Sequence, residues 1–193
     1  MSMKIIATDY VSLDGIIEDP VGMEGSGLGN WTGPHKRGPR GDRFKHDELF
    51  GADALIFGRV TFEAFGAVWP TVDDAAGYAA RMNGLPKFVA SRTLTAPVWS
   101  NSLVLGGDLV DAISALKRER DGTALIFGSA SIVHALARHR LIDGYNLMVY
   151  PILLGRGTRL FPDGPAATMT LVENVSFDDG IVLLRYAAAM TNE

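Results

Sequence analysis

The sequence of 193 residues contains no cysteine. This absence excludes disulfide bridges, thiolate metal ligands and cysteine nucleophiles, and it fits a reducing compartment. Charge is also scarce, at 21% of the residues, and 22 acidic against 18 basic side chains give a net charge of −4. Because nucleic-acid-binding proteins are normally basic, this balance argues against a nucleic acid as partner. No apolar run approaches the roughly 20 residues that a membrane span needs, and we see no signal-peptide core, so we expect a soluble cytoplasmic protein.

Hydrophobic residues are abundant, at 47% of the chain. This share is ample for a sizeable core and excludes a disordered chain. The sequence shows no internal repeat, no linker and no low-complexity tract, and a chain of this length usually forms one domain. We therefore predict a single domain over residues 1–193.

Short apolar stretches typical of strands alternate with helix-like stretches along the chain. The predicted strands cover residues 4–10, 54–57, 87–91, 102–105, 124–127, 144–150, 169–177 and 181–187. The predicted helices cover residues 42–50, 60–65 and 73–82, the stretch after Asp108, and a stretch opened by Ser129 or Ser131. Residues 12–45 otherwise predict loop, with Pro34 and Pro39 blocking regular structure. The pair Asp179-Gly180 predicts a two-residue hairpin turn, so the pattern is that of a mostly parallel α/β sheet with an antiparallel edge.

Two glycine-rich stretches imitate a dinucleotide-binding fingerprint without its context. Residues 25–30 follow no predicted strand, and residues 155–160 have no third glycine and no helix after them. The fingerprint depends on a strand, a tight turn and a helix, so both stretches fail. The four histidines include no pair at i, i+4, and we predict no metal site.

Three predicted strands end in residues suited to binding phosphate groups. They are Gly58-Arg59-Val60-Thr61, Ser91-Arg92 and Gly128-Ser129-Ala130-Ser131. Ligands of open α/β sheets bind beyond the carboxyl ends of the strands, where glycines, hydroxyls, guanidinium groups and helix N-termini suit an anion. Taken singly, each of these strand ends has a simpler interpretation as a capped turn. Taken together, they offer what a phosphorylated dinucleotide needs.

The same segments resemble motifs of the dihydrofolate reductases. Residues 58–63 resemble their Gly-Arg-x-Thr-[Phe/Tyr/Trp]-Glu motif, residues 91–94 their Ser-Arg-x-Leu segment, and residues 126–130 their glycine-rich cofactor turn. Residues 12–15 (Ser-Leu-Asp-Gly) and 151–157 resemble more specifically the RibD C-terminal domain, the reductase domain of riboflavin biosynthesis, and its bacterial stand-alone relatives. The third turn departs from the two adjacent glycines of dihydrofolate reductases, with Phe127-Gly128 in their place.

This resemblance implies a dihydrofolate-reductase-like fold. The expected sheet has about eight strands, mostly parallel, with an antiparallel C-terminal hairpin and helices on both faces. The resemblance also implies NADPH as the hydride donor and a pterin-like or pyrimidine-like substrate. It further suggests a homodimer, and the apolar closing hairpin favours one, because an uncovered edge strand is an aggregation hazard.

The resemblance also implies roles for individual residues. Gly58, Arg59 and Thr61 would hold cofactor phosphates, Ser91 and Arg92 the 2′-phosphate side, and Gly128, Ser129, Ala130 and Ser131 the pyrophosphate. The expected catalytic residues are Asp14 and Asp42. For the acidic residue that binds the pterin from the first helix of dihydrofolate reductases, Asp47 and Glu48 are candidates beside Asp42. The expected substrate-binding residues are Asp14, Gly15, Trp31 and Arg43. For Asp14, a role as cap of its own turn is an equally good interpretation.

The leading hypothesis is therefore an NADPH-dependent reductase of a small heterocycle. One alternative is the riboflavin-pathway step that reduces 5-amino-6-(5-phosphoribosylamino)uracil, and another is a non-catalytic NADPH-binding module. The basic insertion at residues 22–43 would suit a ribose phosphate in the riboflavin-type reaction. Its simpler interpretation is a solvated loop.

Overall fold

The computed structural model describes residues 2–164 and 166–189. The strands are β1 (Lys4–Ser12), β2 (Ala54–Gly58), β3 (Lys87–Ala90), β4 (Ser102–Leu105), β5 (Thr123–Phe127), β6 (Gly144–Tyr150), β7 (Met169–Ser176) and β8 (Val182–Ala188). The helices are α1 (Gly38–Phe50), α2 (Arg59–Val68), α3 (Tyr78–Gly84), α4 (Leu109–Glu119) and α5 (Ala130–Arg138). Across the described ranges, no helix has the length and apolar character to cross a membrane.

The strands form one sheet of eight, in the order β4-β3-β2-β5-β1-β6-β8-β7. All neighbouring pairs from β4 to β6 are parallel. The two pairs that involve β8 are antiparallel. The predicted mostly parallel sheet with an antiparallel C-terminal hairpin is confirmed.

Helices cover both faces of the central strands, because the side chains of a strand point alternately to the two sides. In β2, Ala54 and Ile56 pack in a cluster with residues of α4 and α5. Leu55 and Phe57 of the same strand pack in a second cluster with residues of α1, α2 and α3. The expectation of helices on both faces is therefore confirmed.

Three local predictions were wrong in detail. Helix α1 begins at Gly38 and not at Asp42, because Pro39 lies in its first turn, where the missing N–H costs no hydrogen bond. Helix α3 begins at Tyr78 and not at residue 73, since the Asp74 carboxylate caps it by accepting from the Tyr78 and Ala79 N–H groups. The closing hairpin has a turn of three residues, Asp178–Gly180, and the Phe177 N–H donates to the Ile181 carbonyl across 2.7 Å.

A buried lysine fixes the segment between α2 and β3. The Lys87 Nζ donates to the carbonyls of Asn83, Leu85 and Ser100 over 2.8–3.1 Å. The Asn83 side chain in turn donates to the Trp69 carbonyl and accepts from the Trp99 indole N–H. Burial lowers the pKa of Lys87 to about 8. These bonds hold Trp69 in place as a wall of the cavity described next.

Candidate active site

A cavity of about 660 Å³ opens at the carboxyl edge of four neighbouring parallel strands. Its lining includes the carboxyl ends of β2, β3 and β5, and Thr8, Asp9 and Tyr10 of β1. Strand β5 stops at Phe127, which is paired with Thr8, so β1 continues past its neighbour. This gap at the carboxyl edge is where ligands of open α/β sheets bind.

All nine residues predicted to bind the cofactor line this cavity. They are Gly58, Arg59, Thr61, Ser91, Arg92, Gly128, Ser129, Ala130 and Ser131. They come from three segments far apart in sequence, and the parallel strands bring them to one edge of the sheet. The structure therefore assembles the predicted phosphate-binding residues in one place.

Two helices begin at the cavity, α2 after Gly58 and α5 after Ser129. Neither start carries a side-chain cap hydrogen bond. The first N–H groups of a helix have no partner within the helix, and the helix dipole adds positive potential there. The two starts are therefore suited to an anion such as a pyrophosphate.

Ser129 joins two strand ends instead of capping its own helix. Its Oγ accepts a hydrogen bond of 2.8 Å from the Gly58 N–H. Gly128 and Ser129 both have positive φ values, of 59° and 60°. Glycine adopts this conformation readily and serine rarely does, so the bond to Gly58 is what fixes the turn.

A carboxylate from the long loop after β1 lies at the start of α2. The Thr61 hydroxyl donates to the Glu24 Oε1 across 2.7 Å, and both residues line the cavity. The Asp19 carboxylate shapes this loop by accepting from the N–H groups of Glu24 and Ser26. Burial works to raise the pKa of Asp19, but these donors hold it below its ordinary value. Glu24 and Asp19 belong to no motif, and sequence reasoning missed both.

A buried ion pair supports the floor of the cavity. The Lys45 Nζ lies 2.5 Å from the Glu48 Oε2 and 2.9 Å from the Thr8 Oγ1. Glu48 also accepts from the Thr8 hydroxyl and the Asn146 amide. Burial works to lower the pKa of Lys45, but the charge and hydrogen bond of Glu48 together with Tyr10 and Tyr78 outweigh it, so the net shift is upward. Lys45 therefore stays a cation at the cavity wall.

Asp9 is a further acidic residue of the cavity that sequence reasoning missed. Its side chain is buried, with 6% of the residue exposed. Within residues 2–164 and 166–189, its Oδ2 has no hydrogen-bond partner. Burial raises the pKa of Asp9 to about 7, although Lys45 and the Gly128 N–H oppose the shift. A lone aspartate inside an apolar strand carries no spacing signal that could have identified it.

Asp14 and Gly15 lie outside the cavity lining. The Asp14 carboxylate accepts from the Ser12 hydroxyl at 2.6 Å and from the N–H groups of Leu154 and Gly155 at 3.1 and 2.7 Å. These donors, with Ser12 the strongest, lower the pKa of Asp14 to about 2. Gly15 has a φ of 86°, as a tight turn requires. The geometry favours the interpretation of Asp14 as the cap of its own turn. The same carboxylate also holds the loop that follows β6.

The other three predicted substrate or catalytic residues also lie outside this cavity. The Trp31 indole donates to the Glu18 carbonyl at 2.9 Å, and its ring packs on Tyr150. Asp42 pairs with Arg37 on the surface of α1, at 2.7 Å. Arg43 pairs with Asp47 and lines a second, more open groove. The structure does not bring them together with the cofactor candidates.

A family model described as the RibD C-terminal domain matches residues 3–183. The chain belongs to this family. No group of three or more His, Asp or Glu side chains among the described residues is placed to hold a metal ion.

Individual relatives of this RibD C-terminal domain protein are distant in sequence. The uncharacterized protein YyaP of Bacillus subtilis (strain 168) is 24% identical over 144 residues, which cover 72% of this chain and 76% of YyaP. A putative riboflavin biosynthesis protein from Shewanella sp. PV-4 shares the fold with a TM-score of 0.76 at 22% identity, over 97% of this chain and 99% of that one. Enterococcus faecalis dihydrofolate reductase, complexed with NADP(H), has a TM-score of 0.60 at 16% identity, over 97% and 99% of the two chains. These likenesses establish a dihydrofolate-reductase-like fold.

We predict that Gly58→Ala destabilises the protein by about 1–3 kcal/mol, as overpacking commonly does. An added Cβ would lie 2.3 Å from the Ser129 Oγ, in the bond that joins the two strand ends. Urea unfolding measures the loss. Gly106→Ala is the matched control, because a Cβ there meets nothing within 4 Å. Equal stability of the two variants would contradict the steric argument.

We predict that Asp14→Ala lowers the melting temperature at neutral pH, because the loop after β6 loses its carboxylate acceptor. Since the folded pKa of about 2 lies below the ordinary value of 3.8, the stabilisation is present above pH 4 and is lost as the pH falls toward 2. The difference in melting temperature from wild type should therefore shrink over that range. Substrate binding by Asp14 would instead show as at least a roughly tenfold loss of turnover in Asp14→Asn at unchanged melting temperature.

Proposed function

We propose that this protein is an NADPH-dependent reductase of a small heterocyclic substrate, pterin-like or pyrimidine-like. Membership of the RibD C-terminal domain family supports a reductase of the RibD and dihydrofolate reductase type. One observation carries the proposal. Three strand ends whose residues suit phosphate groups, and two helix starts without a side-chain cap, meet at one cavity. A cytoplasmic location, expected from the sequence, would suit such an enzyme.

The residues present fit a phosphorylated dinucleotide. At Gly58 and Gly128 an added Cβ would lie 2.3 Å from the Ser129 Oγ and 3.4 Å from the Thr61 Oγ1, so glycine lets the two strand ends pack closely at the cavity. In the proposed complex, the starts of α2 and α5 would receive the pyrophosphate. Arg59 and Arg92 would provide charge for the 2′-phosphate side. The bound cofactor would supply the hydride.

The rest of the cavity suits a planar ring. Its wall includes the aromatic side chains of Phe65, Trp69 and Tyr78, and its polar floor is formed by Asp9 and Lys45. The Trp69 and Tyr78 ring centroids lie 5.3 Å apart. A few polar groups in an otherwise apolar pocket fix the orientation of a small ligand. In this proposal, the protein orients the reducible double bond against the cofactor and excludes water from it.

Two observations favour this proposal over its rivals. Of the basic residues at positions 36, 37, 40, 43 and 45, Lys45 alone lines the cavity, and Glu48 already pairs with it. A phosphoribosyl group in the cavity would therefore find no unpaired cation from this insertion. This favours a substrate that has no phosphoribosyl group over the riboflavin-type intermediate. The cavity extends past the predicted cofactor-binding residues to the aromatic wall, which leaves space for a substrate. This space favours an enzyme over a binding module.

We predict that NADPH binds at least roughly tenfold more tightly than NADH, because charge-assisted hydrogen bonds contribute about 1.5–3 kcal/mol each. Arg92→Ala should remove most of this preference and leave NADH affinity nearly unchanged. Titration of both cofactors measures it, with Arg118→Ala on the exposed side of α4 as control. Equal affinities of the wild type for the two cofactors would remove the argument for the arginines.

The test of the reaction itself is NADPH oxidation screened against pterins, dihydrofolate and pyrimidine intermediates. Oxidation with at least one heterocycle supports the reductase. Tight NADPH binding without oxidation of any of them would support the binding module instead.

We also propose a homodimer in which β7 is covered. β7 is an edge strand, and its Leu171 and Val172 are 48% and 59% exposed. Uncovered edge strands pair readily with other chains. We expect a dimer in sedimentation experiments at micromolar concentration, and Val172→Lys should shift it toward monomer. A wild-type monomer under these conditions would contradict the proposal.

A further inference from the structure

Asp9 has an unusual position for a carboxyl group. It lies on the central strand β1, one residue past the end of the pairing with β5, beside the turn at Gly128. The residue lines the cavity and is 94% buried, as its 6% exposure shows. Its Oδ2 has no partner among the described residues. A buried polar atom without a partner is costly, so such a group in a native fold calls for a functional explanation.

The other carboxyl groups of the cavity are already engaged as hydrogen-bond acceptors. Glu18 accepts from the backbone and hydroxyl of Thr158. Asp19 accepts from two backbone N–H groups, and Glu24 accepts from Thr61. The donors that hold the pKa of Asp19 below its ordinary value favour its ionised form, which has no proton to give. Among the described residues that line the cavity, Asp9 is the carboxyl with a buried oxygen that has no hydrogen-bond partner.

The groups around Asp9 suit a carboxyl that changes its protonation state. The charged side chains that face it are Lys45 and Glu48 of α1, and Tyr145 of β6 also interacts with it. Burial and Glu48 favour the neutral acid, and burial raises its pKa to about 7. Lys45 and the Gly128 N–H favour the carboxylate. Both forms are therefore accessible near neutral pH, as general acid catalysis requires.

We propose that Asp9 is the proton donor of the reduction, an inference that rests on the proposed function. When bound, the reduced nicotinamide cofactor would supply a hydride to the substrate carbon and would itself be oxidised to NADP⁺. The π electrons of the reduced C=N or C=O bond move onto its nitrogen or oxygen, and that atom takes the proton of the Asp9 carboxyl. The carboxylate that remains is stabilised by Lys45 and the Gly128 N–H, and it takes up a new proton from solvent after product release.

The test compares wild type with Asp9→Asn, which keeps the shape and loses the transferable proton. In single-turnover NADPH oxidation, we expect the wild-type rate to fall as the pH rises through about 7, because the acid form is lost. Asp9→Asn should be at least roughly 100-fold slower and should lack this pH dependence, with NADPH affinity unchanged. Asp73→Asn, an exposed aspartate outside the cavity, is the control and should match the wild type.

A second readout does not depend on turnover. Because the folded pKa of Asp9 lies above its unfolded value, the wild type loses stability as the pH rises from about 4 to 7. The melting temperature of Asp9→Asn relative to wild type should therefore increase over this range, and infrared spectra should show a protonated carboxyl that titrates near pH 7 in the wild type only.

The possible failures are distinguishable. If the wild type binds no NADPH, the proposed function fails and the proton-donor assignment fails with it. If the wild type oxidises NADPH and Asp9→Asn retains its rate and pH profile, the assignment of Asp9 alone is overturned. A slower Asp9→Asn with the wild-type pH profile, or the absence of a titrating carboxyl, also overturns it.

Discussion

Parallel pairing of β3, β2, β5 and β1 is the constraint on which the candidate active site depends. Parallel strands deliver all their carboxyl ends to one edge of the sheet, so residues distant in sequence meet there without any local signal between them. The Gly58–Ser129 hydrogen bond then joins the ends of β2 and β5 directly. The cavity, the two helix starts and the cofactor candidates all follow from this arrangement.

Electrostatics divides the cavity into two parts. Where α2 and α5 begin, backbone N–H groups and arginines provide positive potential. On the floor, Lys45 and Glu48 are buried together, an arrangement that rarely adds much stability because both charges must leave water. Its effect is to hold a fixed cation beside Asp9, which limits how far burial raises the pKa of that carboxyl. The same ion pair also ties α1 to β1 through Thr8.

The sequence predicted the fold, and it predicted which strand-end residues line the cavity far better than it predicted the residues of the cavity floor. A buried strand followed by glycine, hydroxyl and arginine is a local pattern that the sequence displays directly. Asp9 and Lys45 lie 36 positions apart, which is the difference of their residue numbers, and meet only after β1 and α1 pack. Asp14 follows a strand end as expected, but the loop after β6 supplies N–H donors that no local pattern reveals.

The Glu24 carboxylate lies at the start of α2, where it accepts a hydrogen bond from the Thr61 hydroxyl. The protein itself therefore places an anion at this helix start. In the proposed complex, a phosphate at this position would meet a site whose positive potential is already partly neutralised. Its binding would then exchange one anion for another, and the Glu24 carboxylate would leave with the loop that Asp19 shapes. The affinity of the site would in that case depend on the conformational freedom of residues 19–26, which the composition of that loop determines.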